Sequence, residues 1–163
     1  MAKQLGIAVG VCVLLALGIA NTAAGAELSR EEYVTRAEPI CKANTEANRR
    51  IFKGAKEQVK AGELKQASTH FTRAATALQK AVEQLGALPQ PSADEAKLAK
   101  WLGYLGAEQG LLVKIAGALS ADDKAKAQLL SVRLNRNSNL ANNTVLAFGF
   151  DYCRIDPSRF SAK

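Results

Sequence analysis

GELKQASTHFTRAATALQKAVEQLGALPQP, residues 62–91, decides the fold class. After Gly62 the positions Leu64, Ser68, Phe71, Ala75, Leu78, Val82 and Leu85 recur alternately four and three residues apart. That spacing places them on one face of an α-helix, and Gly86 with Pro89-Gln90-Pro91 ends it.

The same alternation appears three more times. Upstream, Ser29 with Glu32 three residues later reads as a capping box that satisfies exposed amide donors at a helix start. The ladder that follows is Tyr33, Ala37, Ile40, Asn44, Ala47 and Ile51. Pro39 falls inside it, and a missing donor together with a ring clash predicts a kink or a second helix start there. Downstream, Ser92 and Glu95 form another capping-box pattern before Leu98, Leu102, Leu105, Gln109, Leu112, Ala116 and Leu119. The last segment opens at Ser120 with Asp122 and Asp123, acids that suit the positive end of a helix dipole. It carries Leu130, Leu134, Asn137, Ala141, Val145 and Phe148. Four ladders with short connections and no strand pattern predict an all-α chain, an antiparallel up-and-down four-helix bundle over residues 27–163 as a single domain.

Residues 1–26 read differently. Lys3 precedes an apolar run from Leu5 to Ala20, and Ala24-Gly25-Ala26 fits an A-x-A cleavage site before Glu27. The stretch from Leu5 to Ala26 is also close to the roughly 20 residues that span a bilayer, so a retained signal anchor is the alternative. Either way the remainder is expected outside the cytoplasm. Cys12 sits mid-way in the apolar run after Val11, where it reads as an apolar filler and not a lipid attachment point.

The chain carries 22 basic and 15 acidic residues, a formal charge of +7. Loss of Lys3 with the signal leaves +6 on roughly 137 residues, enough for one domain with a real core. No run of five like charges occurs, so a mixed, solvated surface is expected, with at most loose attraction to anionic surfaces and no specific nucleic-acid binding.

Enzyme and cofactor chemistry find little to work with. His70 is the only histidine. It has no His or Cys at i+3 or i+4 for a metal, no G-x-S-x-G turn accompanies it, and no C-x-x-C-H or Glu-x-x-His pattern exists for haem or di-iron. The expectation is a protein that is not an enzyme and holds no metal or haem. Two cysteines, Cys41 and Cys153, remain in the exported part, and lone cysteines in an oxidising compartment usually pair. Register counting requires Pro39 or Gly149 to adjust the geometry of that bridge.

Two further features bear on function. Gly103, Gly110 and Gly117 lie one heptad apart, although each glycine costs about 1 kcal/mol in a helix interior. They make either a close-packing stripe inside the bundle or a docking face for a partner helix. Asn44, Gln109 and Asn137 interrupt the apolar ladders, and buried amides must find partners. They either fix helix register or line a small polar cavity for a ligand.

The start Leu28-Ser29-Arg30-Glu31-Glu32-Tyr33 leading to Ile40-Cys41, with the end Phe148-Gly149-Phe150-Asp151-Tyr152-Cys153, resembles small exported helical proteins of uncharacterised function in high-GC Gram-positive bacteria. The resemblance implies a signal peptide, a helical domain and a bridge between its two ends. It implies no activity, cofactor or partner. The sequence therefore predicts an interaction module at the cell envelope, with a small-ligand carrier or sensor as the alternative and an enzyme as a distant third.

Overall fold

A computed structural model describes residues 28–156. The expected signal at residues 1–26 and its Cys12 lie outside the described residues. Among the described residues the structure is all-helical, with α1 Arg30–Ile51, α2 Ala55–Lys60, α3 Leu64–Gly86, α4 Glu95–Ser120 and α5 Lys124–Thr144. Short 3-10 turns at Ser92–Asp94 and Leu146–Phe148 flank α4 and α5.

The capping box at Ser29 forms as its sequence implies. Ser29 Oγ accepts from the Glu32 amide at 3.2 Å, and Glu32 Oε2 accepts from the Ser29 amide at 2.8 Å. Asp123 caps α5 by accepting from the Lys126 amide at 2.9 Å. α1, however, runs through Pro39 with no second start. Pro39 and Thr35 are both exposed, so the carbonyl released by the missing proline donor faces water. Buried Tyr33, Ala37 and Cys41 hold the inner side of the helix across that point. α2 had no counterpart in the sequence reading, because six residues are too few to show a period. Gly54, at φ +82°, turns the chain into it.

α3 packs on α4, α4 on α5, and α1 on α3, whereas α1 and α5 make no packing of that extent. The small stripe that is buried belongs to α3: Ala67, Ala74 and Ala81, one heptad apart and each 5 % exposed or less. Such a stripe lets neighbouring helix backbones approach. The glycines of α4 do something else. Gly103, Gly106 and Gly117 are exposed, and a Cβ built at any of these positions or at Gly110 meets nothing within 4 Å. Close packing of this stripe inside the molecule, expected as one reading, is therefore corrected: it faces outward.

The C-terminal segment closes the side left by α1 and α5. Gly149, at φ +69°, reverses the chain so that the adjoining Phe148 and Phe150 both turn inward and stack at 5.4 Å. Phe150 also stacks on Trp101 at 5.5 Å. Cys153 then reaches Cys41, with Cα atoms 4.9 Å apart. The register adjustment thus falls on Gly149 and not on Pro39. Glu38 accepts from the Asp151 amide at 2.6 Å and the Tyr152 amide at 3.0 Å, and Asn142 both donates to and accepts from the Ile155 backbone. At the same end Arg30 makes two 2.7 Å hydrogen bonds to buried Asp94 while lying over the Phe148 ring. The guanidinium holds the Asp94 carboxyl below the usual carboxylate range.

Candidate functional site

The inner faces of the helices sit one residue away from the predicted ladders at several points. In α4 the buried residues are Leu98, Trp101, Leu105, Leu112, Ile115, Ala116, Ala118 and Leu119, so that Ala116 keeps its predicted place, and Glu108 falls one heptad after Trp101 and one before Ile115. In α1 Asn48 is buried where Ala47 was expected, and in α5 Ser138 is buried where Asn137 was expected. Glu108, Asn48 and Ser138, together with Asn44, line one cavity of about 160 Å³.

Every long helix contributes to that cavity. α3 supplies Phe71, Ala74, Leu78, Ala81 and Leu85, and α4 supplies Trp101, Leu105 and Leu112 around Glu108. α1 and α5 supply the polar edge, and Tyr152, the Cys41–Cys153 bridge and Ile155 form the end wall. The cavity separates the apolar cluster around Trp101 and the disulfide from the one around Ile51, Ala75 and Leu78.

Glu108 is the only formally charged residue in this lining. Burial pushes its carboxyl up to about 7, against the opposing effect of a hydrogen bond from Ser138. That bond, 3.2 Å from Ser138 Oγ to Oε2, is shared, because Ser138 Oγ also lies 3.1 Å from the Leu134 carbonyl and carries a single proton. Asn48 Nδ2 donates to Asn44 Oδ1 at 3.3 Å, while the buried Asn48 Oδ1 has no partner among the described residues. The buried Trp101 Nε1 likewise has none. The cavity thus combines apolar and aromatic walls with unspent acceptor capacity on one side and an indole donor in its lining.

Of the three amides singled out from sequence, only Asn44 lines this cavity. Asn137 is half-buried on α5, donates to the Tyr104 carbonyl at 2.8 Å, and lines a separate open groove with Gly110, Lys114, Arg133, Arg136 and Leu140. Gln109 is half-buried and outside the cavity lining. Asn44 thus lines the cavity as one reading expected, whereas Asn137 is corrected: its neighbour Ser138 takes that place. His70 is structural, its Nε2 lying 2.9 Å from Gln58 Oε1 and its Nδ1 bonded to the Ile51 carbonyl oxygen, so that it ties α3 to α2 and to the end of α1. Among the described residues no group of three or more His, Cys, Asp or Glu side chains converges, and no helix is long and apolar enough to cross a membrane.

No family model, characterised protein or solved structure matches this chain. The reading of the site consequently rests on its own chemistry.

Proposed function

We propose that this protein is an exported, disulfide-stapled four-helix bundle that carries or senses a small molecule in the cavity between its helices, without catalysing a reaction. The observation that carries this reading is the buried Asn48 Oδ1, without a partner among the described residues, in the same largely apolar cavity lining as Glu108. A core selected for stability alone avoids such groups, because each unpaired buried polar atom costs about 1–3 kcal/mol. A cavity of about 160 Å³ is close to the volume that accepts benzene in an engineered helical core. An extracytoplasmic location accords with the disulfide and with the signal pattern at Lys3 to Ala26, and the terminal motifs keep the small exported proteins of high-GC Gram-positive bacteria as the proposed kin.

The test uses Trp101, the chain's sole tryptophan, whose ring lines the cavity. Titration with a set of benzene-sized molecules is expected to shift its emission saturably for a subset. In parallel, native mass spectrometry of protein recovered from its own compartment should show an extra mass that denaturation removes. A bare protein together with no saturable response would sink the carrier reading.

A second reading, an interaction module at the cell envelope, has its own observation. Gly103, Gly106, Gly110, Val113 and Gly117 form one outward stripe, with Val113 50 % exposed. Substituting Gly106 by Gln would abolish capture of an envelope partner if that stripe docks one, and would leave ligand binding in the cavity untouched.

A further inference from the structure

The cavity's polar groups are not neutral in what they select. Its lining holds no Lys, Arg or His, so no positive charge in it complements an anion, and the Trp101 indole N–H is the one buried donor there without a partner among the described residues. What it presents is acceptor capacity: the Glu108 carboxyl, supported only by a shared Ser138 proton, and the orphaned Asn48 Oδ1. The same lining holds the rings of Phe52, Phe71 and Trp101, aromatic groups whose quadrupoles attract cations.

Resting on the cavity reading above, we infer that the ligand is a small organic cation, an ammonium head on an apolar or aromatic body, with the head held by Glu108 and Asn48. An ammonium group has three donors and no acceptor, which matches two under-used acceptors plus the Ser138 hydroxyl oxygen. Its charge removes the reason for Glu108 to stay protonated, since a nearby opposite charge favours the ionised form. The volume limits the body to roughly the size of one aromatic ring. A largely desolvated carboxylate with one shared hydrogen bond is costly to ionise, and a cationic guest is what would neutralise it.

Binding is then coupled to protons. The residues that share the cavity lining with Glu108 are Asn44, Thr45 and Asn48 from α1, apolar side chains from α3, Leu134, Asn135 and Ser138 from α5, and Tyr152 and Ile155 from the C-terminal segment. Of these only Tyr152 carries another ionisable group, and none carries a carboxylate, amine or imidazole. Glu108 alone therefore sets the dependence in the neutral range. With its carboxyl at about 7, a ligand that needs the ionised form binds about 30-fold more weakly at about pH 5.5 than at about pH 8.

The experiment compares benzylamine, benzyl alcohol and benzoate, three probes of similar shape and different charge, by calorimetry and Trp101 emission on purified protein with its disulfide formed. At about pH 8 benzylamine is expected to bind at least about tenfold more tightly than benzyl alcohol, a difference near 1.4 kcal/mol, with benzoate undetectable. Lowering the pH to about 5.5 should weaken benzylamine alone, and Glu108→Gln should abolish both its advantage and its pH dependence. If benzyl alcohol binds as tightly as benzylamine at about pH 8, the cavity remains a ligand site and the cation inference falls. If none of the three binds while other benzene-sized molecules do, the inference falls alone; if nothing binds, the cavity reading falls with it.

Discussion

Glu108 occupies a place where an apolar side chain would give a more stable helix contact. Its folded carboxyl titrates at about 7, against 4.5 for the free group, so the folded chain holds a proton that the unfolded chain has released between those values. Stability from this residue is therefore greatest below about pH 4.5, declines as pH rises toward about 7, and is level above it. At 1.36 kcal/mol per pH unit the loss is about 3 kcal/mol. Glu108→Gln, neutral throughout, should be more stable than the parent by about that amount at about pH 8, with the gain vanishing near pH 4.5; urea unfolding at the two values checks it. Tyr33 is the simpler case. Its hydroxyl is buried without a partner among the described residues, and burial pushes its ionisation up to about 12. Tyr33→Phe removes an unpaired polar atom while keeping the ring's edge contact with Phe148, and thermal unfolding should show a gain of about 1 kcal/mol.

At the scale of the element, α4 shows what the sequence made legible. Leu98, Leu105, Leu112 and Leu119 belong to both possible ladders, so the helix and its approximate face were readable. Between them, a three-then-four step selects Trp101, Glu108 and Ile115, while a four-then-three step selects Leu102, Gln109 and Ala116. Preferring an amide over a carboxylate inside a core is sound as a rule, and it fails here because the site departs from the rule. The same one-residue slip separates Ala47 from Asn48 and Asn137 from Ser138, and in both pairs the second, polar residue is the buried one. The signal that would have found them was Trp101, whose size favours the inward ladder. The glycines of α4 are a different case, since their regular spacing is readable in the sequence and the choice between an inner and an outer stripe is not. With open space around each Cβ, Gly103→Ala, Gly106→Ala and Gly117→Ala should each stabilise the chain by up to about 1 kcal/mol in chemical denaturation. A loss of stability at any of them would mean that the stripe is packed after all.

Over the whole molecule, the two ends of the described chain are fastened at one pole, and the cavity lies directly beneath that fastening. The bridge spans 112 residues, for which the chain-entropy account gives about 4.7 kcal/mol of stabilisation, exerted mostly on the unfolded ensemble. The folded C-terminal segment has separate local support from Glu38 and Asn142 and from the stacking of Phe150 on Trp101. These two contributions are separable. Replacing both Cys41 and Cys153 by Ser should lower global stability by about 3–5 kcal/mol in urea unfolding. The emission of Trp101 in the still-folded variant should stay close to that of the parent, because the segment covering it keeps its hydrogen bonds. Glu38→Gln should behave in the reverse sense, with a small global loss of about 1–2 kcal/mol but faster amide exchange at Asp151 and Tyr152, since the weakened bonds are local ones to a charged acceptor. If the double serine variant instead shows Trp101 moved into water while globally folded, the disulfide itself holds the end wall of the cavity in place. Ligand access would then depend on its oxidation.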